Sequence, residues 1–81
     1  MTYDYAKERP GVFTEEGVRE LLEIERIARL AIEKSGAVHT SKLLAVRDSS
    51  WRTMACIDFL EEIGRIRCCT KAGARNDWIY F

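Results

Sequence analysis

Eighty-one residues, 47% hydrophobic and 32% charged, suit one small domain and are too apolar for a disordered chain. Thirteen basic and thirteen acidic side chains cancel, which excludes nucleic-acid binding driven by net charge alone. No apolar run approaches the ~20 residues of a membrane helix, and MTYDYAKERPG lacks the apolar stretch of a secretory signal, so the cytoplasm is the expected compartment.

The charge is unevenly placed. Residues 1–39 hold six basic and eight acidic side chains; residues 40–81 hold seven and five. The second half is therefore the better candidate for an anion-facing surface. Three cysteines, Cys56, Cys68 and Cys69, do not make a disulfide framework: the number is odd, and neighbours in a strand point to opposite faces.

In chain order, residues 1–13 read as an N-terminal arm broken at Pro10-Gly11, with Tyr3 and Tyr5 available to pack on the domain or on a partner. The globular domain is expected over residues 14–81. Thr14 is a plausible N-cap for a long helix, with Glu15 and Glu16 in its first turn and Gly36 as its stop. From Glu15 to Ser35 it would run about 31 Å at 1.5 Å per residue. Its apolar positions (Val18, Leu21, Ile24, Ile27, Ala28, Ala31, Ile32) cover a wider surface than one small core needs. Either the rest of the domain covers this surface or part of it joins two copies of the chain.

Residues 37–39 read as a short extended piece. Thr40 or Ser41 then caps a brief helix, Lys42 to Arg47, and Asp48-Ser49 makes a turn. Ser50 caps the next helix, residues 50–63, with Thr53, Ile57, Leu60 and Ile63 as its buried seam and Gly64 as its end. Ile66, Cys68 and Thr70 alternate with Arg67, Cys69 and Lys71 in a half-buried strand. A polar turn over residues 72–76 leads to a second strand, DWIYF, and the two should pair as a hairpin.

With GAVHTSKLLAV, RDSSWRT and IDFLEEIGRI, the chain from Gly36 to Phe81 resembles the winged helix-turn-helix superfamily. Leu60, Ile63, Gly64 and Ile66 match the end of that family's third helix and the opening of its wing. Its size and cysteine use are similar to those of small solitary regulators of archaea and their viruses. The resemblance implies an α+β fold, three helices with a C-terminal two-stranded β-wing. It also implies sequence-specific binding of double-stranded DNA by a transcriptional regulator, acting as a homodimer through its first helix. The same fold also serves as a protein–protein interaction module that reads no DNA.

On the DNA reading, helix 50–63 enters the major groove and Arg52 is the best base-edge candidate, since a guanidinium bonds guanine bidentately. Ser49, Ser50 and Trp51 sit at the helix start near phosphates, although a tryptophan there also packs well against the preceding helix. Lys42 and Arg47 reach the backbone, and Lys71, Arg75 and Asn76 on the wing reach the minor groove or its phosphates. The outward positions beyond Arg52 are Met54, Ala55, Cys56, Asp58 and Phe59, poor in donors and as suited to a protein partner.

No membrane, small-molecule substrate, cofactor or metal is expected. His39 with the three cysteines has the count of a zinc site but no C-x-x-C spacing. Glu61 and Glu62 are neighbours on a helix and do not converge, and no glycine-rich phosphate loop is present, so an enzyme is not expected.

Overall fold

In the computed structural model, which describes residues 3–44, 51–70 and 78–81, the chain runs α1 (Tyr5–Glu8), a 3-10 helix (Arg9–Phe13), α2 (Glu15–Ser35), β1 (Val38–His39), α3 (Thr40–Leu44), α4 (Trp51–Glu62), β2 (Cys68–Thr70) and β3 (Ile79–Tyr80). This is an α+β fold. The expected count of three helices and two strands is too low. Among the described residues there are four α-helices, a 3-10 helix and a three-stranded antiparallel sheet ordered β1-β3-β2.

The sheet gains its third strand because Val38 and His39 pair with Tyr80 and Ile79. That places β3 in the middle and buries Tyr80 completely. On the other side Cys68 faces Tyr80 and Thr70 faces Ile79, so Cys69 is the extra residue of a bulge. The ladder continues through Arg67 and Phe81, each donating its N–H to the other's carbonyl at 2.8 Å.

α2 begins and ends as its residues dictate. The Thr14 hydroxyl accepts from the Gly17 N–H at 3.0 Å, and Gly36 adopts the left-handed conformation (φ 81°) that stops the helix. α3 starts earlier than expected. Thr40 is its first residue, and both its N–H and its hydroxyl donate to the Trp78 carbonyl, at 2.9 and 3.0 Å. The threonine thus ties α3 to the sheet instead of capping a helix. The expected end of α3 at Arg47, the 48–49 turn, the Ser50 cap and the 71–76 wing tip lie outside the described residues.

α2 packs against α4, with Ile24, Ala28 and Ala31 facing Ala55, Cys56, Ile57 and Leu60, and Leu43, Val38, Ile66 and Tyr80 closing the core. At roughly 1.5–3 kcal/mol for each large aliphatic side chain, Ile24, Leu43, Ile57, Leu60 and Ile66 contribute most of its apolar stabilisation. Ile63 does not belong to this seam. It is 51% exposed, and Ile66 fills the core in its place after Gly64 (φ 78°) turns the chain.

The N-terminal segment is built into the packing. Val12 is wholly buried, and the 3-10 helix lies against both α2 and α4. It comes so close to the first turn of α2 that a Cβ on Gly17 would stand 2.1 Å from the Gly11 carbonyl oxygen and 2.7 Å from that of Val12. Only glycine fits there.

Candidate nucleic-acid interface

The twelve residues of α4, WRTMACIDFLEE, present three stripes at 100° per residue. Thr53, Ile57 and Leu60 face the core. Arg52, Cys56 and Phe59 turn toward the start of α2 and the N-terminal segment. Trp51, Met54, Asp58 and Glu61, all half-buried, form the third stripe.

The placement of Ala55 and Cys56 corrects an expectation: both are wholly buried rather than outward. α4 is packed on by α2, by the 3-10 helix and by α1, which makes its covered face wider than the seam alone. Cys56 lies against the start of α2, its thiol donating to the Gly17 carbonyl at 3.8 Å. Burial, with a smaller push from Glu20, raises its pKa to about 12.

Arg52 is engaged within the molecule. Its Nε donates to Glu20 Oε1 at 3.0 Å, and its Nη1 to Glu16 Oε2 at 3.2 Å. Glu20 projects from α2 into the α2–α4 interface, its side chain only 3% exposed, and its other oxygen accepts from the Thr53 hydroxyl. The hydrogen bond it donates to Glu20 lifts the pKa of the Arg52 guanidinium further above its ordinary value, so the cation is permanent. Sequence reasoning missed Glu20. The signal was available, because it falls on the same helical face as Gly17, Ile24, Ala28 and Ala31, where an apolar side chain is expected.

The far half of α4 is strapped by residues 3–13. The Tyr3 hydroxyl donates to Asp58 Oδ2 at 2.7 Å, and the Tyr5 hydroxyl to Glu62 Oε1 at 3.0 Å. Arg9 grips Glu62 with two bonds, 3.2 and 2.7 Å, while its guanidinium lies 5.1 and 5.5 Å from the ring centres of Phe13 and Phe59. Those rings meet edge-on at 5.2 Å. The Arg9 bond holds the Glu62 carboxyl below the ordinary range, and burial followed by Glu62 raises the Tyr5 phenol.

Arg52 is the one cation in α4, against Asp58, Glu61 and Glu62, so the side chains of the helix carry a net negative charge. Lys42 on α3 is exposed, as is Arg67 beside β2, which the sequence reading did not include; neither forms an ion pair among the described residues. Trp51 opens α4. Ser49, Ser50, Arg47, Lys71, Arg75 and Asn76 lie outside the described residues. His39 and Cys69 are exposed while Cys56 is buried, and among the described residues no three His, Cys, Asp or Glu side chains are placed to hold a metal ion. Nor is any helix among them long and apolar enough to cross a membrane.

No protein-family model matches the chain, and no curated protein or solved structure shows significant similarity to it.

Proposed function

We propose that the chain is a winged helix-turn-helix protein that binds duplex DNA as a transcriptional regulator. The observation that carries this reading is the order of its parts. A strand between the first long helix and the helix pair α3–α4, followed by a hairpin whose second strand lies between the other two, is the winged-helix order. On this reading α4 is the groove-facing helix and residues 71–76 are the wing.

The charge distribution shapes the rest of the proposal. Phosphate contacts come from Lys42, Arg47 and Arg67, from the helix start at Ser49, Ser50 and Trp51, and from Lys71, Arg75 and Asn76 of the wing. Arg52, held by Glu20 and Glu16, anchors α4 rather than reading a base. Sequence reading falls to Trp51 and Met54, through apolar contacts such as those with thymine methyls. Two copies would meet through α2, where Leu22 and Leu30 stand 60% and 46% exposed, and would read a pseudo-palindrome. Leu22→Glu with Leu30→Glu should then give a monomer by sedimentation velocity.

A second reading has its own support. The third stripe of α4 combines Trp51 and Met54 with Asp58 and Glu61 and has no cation, which suits a protein partner as a module that reads no DNA. Anisotropy of a labelled random duplex over a salt series separates the two. The DNA reading expects log K to fall linearly with log salt, and Lys71→Ala with Arg75→Ala to reduce that slope by about 1.8, at about 0.9 for each phosphate no longer neutralised. Absence of binding at low salt, with no effect of the double variant, leaves the protein-module reading.

A further inference from the structure

We infer that Glu20 is a positioning residue that sets the rotation of α4, and through it the preference of the protein among DNA sequences. The inference rests on the DNA-binding reading above.

A carboxylate at this place is not explained by stability. It occupies a core position of α2 between Gly17 and Ile24, with its side chain 3% exposed. An apolar side chain of similar volume there, with an apolar partner, is generally as stabilising as a buried ion pair or more so. What the carboxylate provides is direction. Its two oxygens receive donors from two consecutive residues of α4, Arg52 Nε on Oε1 and the Thr53 hydroxyl on Oε2. Those residues are 100° apart around the helix. Turning α4 one way stretches the first bond, and turning it the other way stretches the second. Apolar packing of Ala55, Ile57 and Leu60 is far less directional, because aliphatic contacts tolerate sliding and repacking.

The clamp acts in the first turn of α4, the part that enters the groove on the DNA reading. It sets the direction in which the half-buried stripe of Trp51 and Met54 faces. At the other end of the helix Tyr3 bonds Asp58 and Arg9 bonds Glu62, contacts that hold α4 to the N-terminal segment, while the Glu20 clamp acts directly on the first turn. Glu20 and Thr53 are both buried, so neither can contribute a base contact.

The test compares Thr53→Val, which keeps the shape but removes the hydroxyl, with Thr53→Ser, which keeps the hydroxyl. Glu20→Met with Arg52→Met serves as a variant free of the buried charge. A preferred duplex is first selected from a random pool with the wild-type protein. For each folded variant, the ratio of affinities for that duplex and a random one is then measured, together with the salt slope. The inference expects Thr53→Val and the double methionine variant to lose the preference about tenfold at unchanged salt slope. Thr53→Ser should keep it within twofold. Preference retained by Thr53→Val overturns the positioning role, and so does equal loss in Thr53→Ser. If the wild-type protein binds no duplex, the DNA reading fails and this inference with it. If the wild type binds and the variants keep its preference, the DNA reading stands and this inference alone fails.

Discussion

Replacing Arg52 by alanine gives the sharpest stability test of the α2–α4 interface. It removes the Nε donor 3.0 Å from Glu20 Oε1 and leaves a carboxylate that is 97% covered with, among the described residues, only the Thr53 hydroxyl. Removing one partner of a fully buried ion pair costs about 3–5 kcal/mol. The Arg52 side chain is itself about a third exposed, so water can reach part of the vacated space and the expected loss falls to about 2–3 kcal/mol. For a domain of this size that corresponds to a fall in Tm of roughly 10–20 °C. Glu20→Met with Arg52→Met removes both charges and should recover stability to within about 1 kcal/mol of the wild type. The assay is urea unfolding followed by circular dichroism, with tryptophan fluorescence as a second probe of two-state behaviour. A loss below about 1 kcal/mol for Arg52→Ala would mean that the pair is only a surface bridge. A double variant as unstable as Arg52→Ala would mean that the cost lies in packing rather than in an orphaned charge.

Other consequences follow from the same packing. Gly17→Ala should destabilise by about 3 kcal/mol or more, because its Cβ would meet the Gly11 and Val12 carbonyls, backbone atoms that move only if the 3-10 helix lifts away; the same urea assay measures it. Cys56 adds an alkaline dependence. Its folded pKa, near 12, lies above the ordinary value of 9, so the folded chain retains a proton that the unfolded chain releases. Stability from this source is complete below pH 9 and falls by about 1.4 kcal/mol per unit as pH rises toward 12. Cys56→Ala should remove that component of the pH profile. Thiol labelling at pH 8 should modify the exposed Cys69 first and Cys56 only on unfolding, as peptide mapping by mass spectrometry would show. At the acid end, Glu62 is held below the ordinary carboxylate range by Arg9. It stabilises the fold above that range, and the effect is lost as pH falls through the depressed value. Arg9→Ala should flatten this part of the acid unfolding curve.

The sequence alone determined the features set by local chemistry. Thr14, Glu15, Glu16 and Gly36 bound α2 because a cap, the helix dipole and a left-handed glycine act within one turn of the chain. The seam of Thr53, Ile57 and Leu60 is a periodicity, and it is legible without a partner. What depended on partners distant in the chain was decided by the tertiary structure. Pairing of Val38 with Tyr80 turned an extended dipeptide into a strand and moved β3 to the centre of the sheet. The start of α2 and the N-terminal segment covered sides of α4 that helical spacing left open: Cys56 meets Gly17, and Asp58 and Glu62 are bonded by Tyr3 and Arg9.

Arg52 shows the difference most clearly. Its residue type and its place at the start of a helix pointed outward to a base. Two glutamates of α2, Glu20 and Glu16, engaged it within the molecule instead. Spacing within a helix carries no information about a charge on another helix. In a small domain, one buried carboxylate is enough to decide which of its neighbours remain available to a ligand.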